Sequence, residues 1–469
     1  MLGIFLLLAG LAGACFLFNT GQVITEKNRL VTAADAVAHG AGVMQARALN
    51  FDAYSNRALV ANEVLVAQMV SLSSWSQYVK THAENLPWQF PECGDPNGYG
   101  TAFGGAFKYG PLYAVMCYLS VRYAGEYMAQ AADKVPELTQ KIVKLVELNK
   151  KLIQLAQKAV HGPAGNNAGL SPFQLARATV MQEIADANYH NDGSVKATAQ
   201  LLGDGWPGFT RRYEGEERKR FAEVTRTAAY SDPFIRKRSW TETALLPPPW
   251  EWACAMAQRK NSVKRRGGTE LVNYDEWKAE DTESYWEVRN VGRIFKRCGR
   301  REHPVAWGEQ QAHPDDANQD ESGAALGGSP ATNPHAHGYA SSEQWTDYTG
   351  LPAFYDLSPD RLNEKAPKLK LQVRLTRQRD QLATPEGRSA LRQVADPAGA
   401  RRNVTAYRSD FSGGEMMASA AVEVWFERPP QTTDNVWGKQ AGKPSELPSL
   451  FNPYWQVRLV DPALAAPAE

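Results

Sequence analysis

Three things are scarce in this chain, and each scarcity removes a class of protein. Net charge is nearly absent: 52 Lys and Arg stand against 51 Asp and Glu, a formal charge of +1. So even a balance gives no basic face for nucleic acid and no global pull on a polyanion. Basic clusters such as Arg211-Arg212 and Lys264-Arg265-Arg266 are local and read as solvated surface. Cysteine is scarce as well, with five residues and no Cys-x-x-Cys pair, which argues against zinc and thioredoxin-type chemistry. The common catalytic signatures are missing: no H-E-x-x-H, no G-x-S-x-G and no phosphate-binding G-x-x-x-x-G-K-[ST]. Aromatic residues are not scarce. With 13 Trp, 18 Tyr and 16 Phe the chain can build packed cores and is not disordered.

Proline is absent until Pro87, and this absence shapes the amino-terminal third. An uncharged apolar run, Leu2 to Phe18, passes without a helix breaker into an Ala-rich segment from Thr25 onward. At about 17 residues the run is at the short end for a membrane span. No basic residue precedes it, as one would before a signal peptide's apolar region, which fits a start codon assigned too late. Three fates compete: retention as an anchor, cleavage after Ala12-Gly13-Ala14, or lipidation of Cys15. The prolongation of the run through Phe16-Leu17-Phe18 favours the anchor.

Residues 1–24 therefore read as a transmembrane anchor and 25–86 as one long amphipathic helix. Its stripe is Leu30, Ala34, Val37, Ala41, Met44, Ala48 and Phe51, at alternating steps of four and three. Most of these are small enough to let another element approach closely. The stripe suits packing within the chain and also an assembly face. A mainly helical region with a structured loop follows over 87–194. In it Leu138, Ile142, Leu145, Leu152, Ala156 and Ala159 form a second stripe, while Lys134, Lys141, Lys144, Lys150, Lys151 and Lys158 suggest a solvated face. Ser171-Pro172-Phe173-Gln174 has the form of a capping box, predicting a helix to about Asn188.

From 195 to 307 and again from 348 to 461, alternating β-branched and aromatic runs separated by Gly, Pro and Asp predict a β-rich body. Predicted strands include Gly208–Tyr213, Phe234–Thr243, Thr269–Tyr274, Tyr285–Arg289, Lys368–Leu375, Asn403–Phe411, Ala418–Phe426 and Trp455–Val460. Residues 308–347, polar and poor in aliphatics, read as a mobile loop, and 462–469 as a frayed tail. The fold class is α+β. Cys93, Cys117, Cys254 and Cys298 form an even set suited to two disulfides in an exported body; the sequence neighbours 93–117 and 254–298 are the simplest of three pairings. In a cytoplasmic body the same four would be reduced thiols.

Four of the 8 histidines, His303, His313, His335 and His337, fall near Asp315, Asp316, Asp320 and Glu321. On a strand, His335-x-His337 would place both rings on one face, as a metal site requires. The Gly- and Pro-rich setting gives such ligands little rigid support, so the expectation is a polar surface loop with no metal, no cofactor and no catalytic residue.

The segment Lys27-Asn-Arg29-Leu30-Val31-Thr32-Ala33-Ala34-Asp35-Ala36-Val37-Ala38-His39-Gly40-Ala41, directly after an apolar helix, resembles the amino-terminal signature of the TadE/TadG-like proteins of tight-adherence pilus machinery. Val31 stands where that family has Gln. Gly350–Asp356 and Leu450–Leu459 resemble segments of its larger members. The resemblance implies a single transmembrane helix in the bacterial inner membrane, continuing into a pilin-like helix with a periplasmic body. It also implies a role in pilus assembly or secretion, with other pilus-assembly or pseudopilin-like subunits as partners, and neither nucleic acid nor a small-molecule substrate. The competing reading is a tethered exported hydrolase or metal-dependent enzyme built on the 303–337 histidine region.

Overall fold

The computed structural model describes residues 2–89, 126–162, 171–243, 260–291, 297–315, 333–341, 344–378, 393–395, 401–403, 411–412, 415–427 and 447–462. Its helices are α1 (Leu2–Gln89), α2 (Glu126–His161), α3 (Pro172–Asn188), α4 (Lys219–Ala229) and the short α5 (Pro233–Arg236), α6 (Pro334–Tyr339) and α7 (Pro359–Leu362). Its strands are β1 (Val195–Asp204), β2 (Thr210–Tyr213), β3 (Trp240–Thr243), β4 (Ser262–Asn273), β5 (Glu276–Val291), β6 (Arg297–Ala312), β7 (Phe354–Leu357), β8 (Lys368–Gln378), β9 (Gln393–Ala395), β10 (Arg401–Asn403), β11 (Phe411–Ser412), β12 (Glu415–Phe426) and β13 (Trp455–Val460). The fold mixes helix and sheet, and α1 is one helix of 88 residues. The chain forms two compact units. One comprises 1–56, 155–212 and 355–469; the other comprises 57–154 and 213–354.

In the first unit an antiparallel sheet in the order β1-β8-β12-β11, with β13 also on β12, lies against α1. Strand β8 alternates as a half-buried strand must: Leu369, Leu371, Val373 and Leu375 face the core. Leu371, Val373 and Leu375 share one core cluster with Leu30, Ala34, Val37 and Ala41 of α1 and Met181 and Ala185 of α3. A second cluster joins Ala48 and Leu49 to Trp206, Phe209, Leu450 and Trp455. Small residues let the helix approach. A Cβ on Gly42 would lie 2.5 Å from Val457 Cγ2 and 2.7 Å from Val422 Cγ2. Polar pins fix the register. The Asn50 amide donates to the Trp455 carbonyl and accepts from its N–H, both at 3.0 Å. Asn56 donates to the carbonyls of Tyr355 and Leu450. The predicted capping box at Ser171 is present.

In the second unit β3-β4-β5-β6 form an antiparallel meander, and α1 meets it with hydroxyls rather than aliphatics. Ser71 Oγ is 2.5 Å from Thr269 Oγ1, Ser73 donates to Gln310 at 2.8 Å and Ser74 to Asp281 at 2.9 Å. The approach is close: a Cβ on Gly308 would meet the Ser74 carbonyl oxygen and lie 2.6 Å from the Tyr78 backbone nitrogen.

Several sequence expectations are corrected here. The predicted loop over 308–347 begins too early, because β6 runs to Ala312 and 334–339 is α6. The polar residues Glu309, Gln310 and Gln311 belong to a strand whose polar groups find partners in Ser73 and Lys278. Within Phe234–Thr243 the first part is helix α5, capped by Asp232, and only Trp240–Thr243 is strand. The second stripe is reversed in sense. Leu138, Leu145, Leu148 and Leu152 are more than half exposed, while Thr139, Val143, Val146, Glu147 and Lys150 face inward. Lys150 is buried because two carboxylates neutralise it there. Strands β1, β6, β7 and β9 and helix α4 were not predicted, and 404–410 of the predicted strand Asn403–Phe411 lies outside the described residues.

Gly308→Ala should destabilise the protein by about 1–3 kcal/mol through overpacking. It should cost more than Gly42→Ala, whose neighbours are side chains that can move and not backbone. Denaturant unfolding followed by tryptophan fluorescence measures both; an unchanged midpoint for Gly308→Ala would contradict this packing.

Candidate functional site

Two features distinguish this chain chemically: an exposed apolar stem and a lined cavity. The stem is the start of α1. Leu2, Ile4, Phe5, Leu6, Leu7 and Leu8 are each more than half exposed, as are Leu11, Leu17 and Phe18. By length and composition α1 is the one helix among the described residues able to cross a membrane. The uncovered part is the stem. Beyond Thr20 half of the apolar window is buried in the protein itself.

The cavity lies in the second unit, measures about 230 Å³, and is assembled from two periodicities. On α1, Trp75, Tyr78, Val79 and His82 follow i, i+3, i+4, i+7 and share one face. On the sheet, Trp240 of β3 pairs with Arg265 of β4, and Arg265 pairs with Glu283 of β5, one row across three strands. The Tyr78 hydroxyl donates to Glu283. Arg265 stacks over the Tyr78 ring at 4.2 Å and donates to Asp281 at 3.2 Å. Asp281 also receives a two-point contact from Arg238, at 2.8 and 2.7 Å. Burial pushes the Glu283 carboxyl up, but His82, the Tyr78 hydroxyl and Arg265 together outweigh it and hold it below the ordinary range. Burial, reinforced by Glu283, raises the Tyr78 phenol well above its usual value, so it stays protonated and donates. The His82 side chain is 7% exposed; its Nδ1 lies 3.6 Å from a Glu283 oxygen, and its Nε2 has no hydrogen-bond partner.

A separate buried cluster in the same unit is charged but closed. Lys150 Nζ lies 2.6 Å from both Glu63 and Glu147 and donates to the Gly350 carbonyl at 2.7 Å. Tyr348 and Trp277 donate to the other Glu63 oxygen. Burial raises the Glu63 carboxyl despite Lys150.

The residues singled out by sequence do not gather at one site. Leu30, Ala34, Val37 and Ala41 are covered by this chain's own sheet and α3. Ala48 is buried in the second cluster, Met44 is partly covered, and Phe51 is 41% exposed. Cys298 lies at the start of β6; Cys93, Cys117 and Cys254 fall outside the described residues. His335 and His337 stand on a helix begun by Pro334, not on a strand, so two residues' spacing turns them to different sides. His303 pairs with Glu287, His337 with Glu280, and the His335 backbone N–H donates to Glu302. His313 is buried against the Pro314 carbonyl. Asp315 closes the described segment, and Asp316, Asp320 and Glu321 lie outside it. Among the described residues no three His, Cys, Asp or Glu side chains converge on a metal position. The cavity's helical half was legible as Trp75-x-x-Tyr78-Val79-x-x-His82. Its sheet half depends on strand register, which no local pattern reveals.

Two consequences can be measured. Lys150→Met leaves Glu63 and Glu147 buried without their cation and should cost roughly 3–5 kcal/mol, with the loss growing as pH rises and Glu63 ionises. A variant as stable as the parent would show the pair to be dispensable. The hydrogen bond to Glu280 raises His337 above 6.5, with burial partly opposing it. A raised folded value means that this contribution is complete below 6.5 and is lost as pH climbs through the raised value. His337→Gln should therefore flatten the melting temperature against pH in that window; an unaltered slope would remove the assignment. In comparisons with known proteins, the chain matches no family model, no curated protein and no solved structure.

Proposed function

We propose that this protein is a single-pass, inner-membrane-anchored structural part of a Tad-type pilus or related secretion assembly. Its body faces the periplasm, and it works through helix packing and contacts with other assembly subunits. The observation that carries the reading is the continuity of α1. One helix holds the exposed apolar stem and, without a break, the buried core of the body. Stem and body are thereby joined by helical hydrogen bonds and not by a flexible linker. The Ala-Ala-Asp-Ala signature lies in that helix, where Ala33 and Ala34 are buried.

One further observation supports it. On α2, Leu138, Leu145, Leu148 and Leu152 are exposed at heptad spacing, the pattern that seats a partner helix.

A carboxyl-terminal alkaline phosphatase fusion should be active, and a cytoplasm-only reporter at the same place silent. Leu145→Asp with Leu148→Asp should leave unfolding within about 0.5 kcal/mol of the parent, as exposed positions do. The same pair should abolish cross-linking to partner subunits. A silent phosphatase, or intact cross-linking in a less stable variant, would overturn the reading.

A further inference from the structure

We infer that Lys150 and Glu63 join through an intramolecular amide bond, with Glu147 carrying the protons, an inference independent of the membrane anchor. Buried ion pairs are ordinary, but this one has the parts of a reaction. Nucleophile, acyl group and proton carrier converge: Lys150 Nζ lies 2.6 Å from Glu63 Oε1 and 2.6 Å from Glu147 Oε1. The Lys150 side chain is 2% exposed and that of Glu63 is 0% exposed, so bulk water is kept from both. Well-oriented groups in contact can react as if at effective concentrations of about 10⁵–10⁸ M, and the exclusion of water opposes hydrolysis of the product.

Two fixed donors single out Glu63 over Glu147 as the acyl group. Its other oxygen, Oε2, accepts from the Tyr348 hydroxyl at 2.7 Å and from the Trp277 indole N–H at 3.2 Å. Both aromatic side chains are fully buried. Donors on one carboxyl oxygen polarise the carbon and stay in place as that oxygen gains charge in a tetrahedral intermediate, the arrangement of an oxyanion hole. Burial, reinforced by Glu63, raises the Tyr348 phenol well above its usual value, so it remains a donor. Burial also raises the Glu63 carboxyl toward its neutral, more electrophilic form. Glu147 precedes Lys150 by one turn of α2, and its Oε2 accepts from Thr349 at 2.5 Å, leaving Oε1 to face Nζ.

The step balances. Nζ passes one proton to Glu63 Oε1 and, as its lone pair attacks Cδ, a second to Glu147. The N–C bond forms. Glu147 returns its proton to the Oε1 hydroxyl, the Cδ–Oε1 bond breaks, and one water leaves. Ammonium and carboxylate thus give amide and water, with no change in net charge and no oxidant or co-reactant. Glu147 ends as it began. The last Nζ hydrogen can keep its bond to the Gly350 carbonyl, 2.7 Å away. The product fastens α2 to α1 and removes two of three buried charges, whose desolvation is costly.

The test is peptide mapping of the full-length protein purified in detergent. Trypsin cuts after Lys and Arg, so residues 58–80 carry Glu63, and an acylated Lys150 leaves 145–151 uncut. The expected product is a branched peptide of these two segments, one water lighter than their sum. Lys150→Arg should give linear peptides only. The branched fraction, followed against time after pulse-labelled synthesis, should rise about 10²-fold more slowly in Glu147→Gln, as loss of a general acid–base does. Tyr348→Phe removes one donor and keeps the ring; it should slow branching by about 10²-fold and keeps the test valid if Glu147→Gln fails to fold. Separate 58–80 and 145–150 peptides from the folded parent would overturn the assignment, leaving an ion pair only. A water lost within 145–151 alone would overturn it in favour of a Glu147–Lys150 link. Branching as fast in both variants as in the parent would also overturn it.

Discussion

The Ser74 hydroxyl lies 2.9 Å from the Asp281 carboxylate and 3.2 Å from the Gly308 carbonyl, and its unit depends on that contact. A helix and a sheet usually meet through aliphatic side chains. Here β6 crosses α1 so closely that no Cβ fits at Gly308, and the helix meets the sheet with serine at 71, 73 and 74. Hydroxyls fill the narrow gap and meet polar partners on the sheet, so burial of polar groups is offset by hydrogen bonds. Close approach, small residues and a polar interface are one constraint expressed three ways.

The charges inside the same unit follow from this constraint. Once Asp281 is drawn under the helix by Ser74 it is fully buried, and an isolated buried carboxylate is untenable. Arg238 and Arg265 neutralise it, the first through two hydrogen bonds. Arg265 then packs on Tyr78, and Tyr78 orients toward Glu283. Each polar group exists where it does because the previous one was buried. Such networks fix strand register, since a slip of one residue would expose Asp281 and strand both arginines. The first unit solves the same problem with alanine and glycine on α1 and aliphatics on β8 and β12, and pins register with Asn50 and Asn56.

Sequence legibility tracks this contrast. Strands β12 and β13 and helix α3 were readable to within a few residues because each has one apolar face or a cap whose chemistry is local. Helix α1 was readable from its stripe and its lack of proline. Strand β6 was not, because Gly308-Glu309-Gln310-Gln311 looks solvated and its partners lie some 230 residues away on α1. Lys150 was misread for the same reason: a lysine reads as surface until Glu63 and Glu147 are known to flank it in space. In α2 the apolar stripe was seen, but periodicity cannot say whether a leucine face meets this chain or another.

The cavity itself follows from how side-chain size changes along α1. Toward Ser71 and Ser74 the helix is thin, and the sheet closes onto it through Thr269 and Gly308. From the next residue onward, over about two turns, the facing residues are Trp75, Tyr78 and His82, three of the bulkier side chains available. Beside Glu283 the β5–β6 register shifts, and the large residues stand between helix and sheet where small ones had let them close. Tyr78 and Arg265 fill part of that wedge by stacking on each other. What remains is bounded by two indoles, the Glu283 carboxylate and the His82 imidazole, 3.6 Å from that carboxylate. At Ser74, where the helix residue is small, the sheet does close.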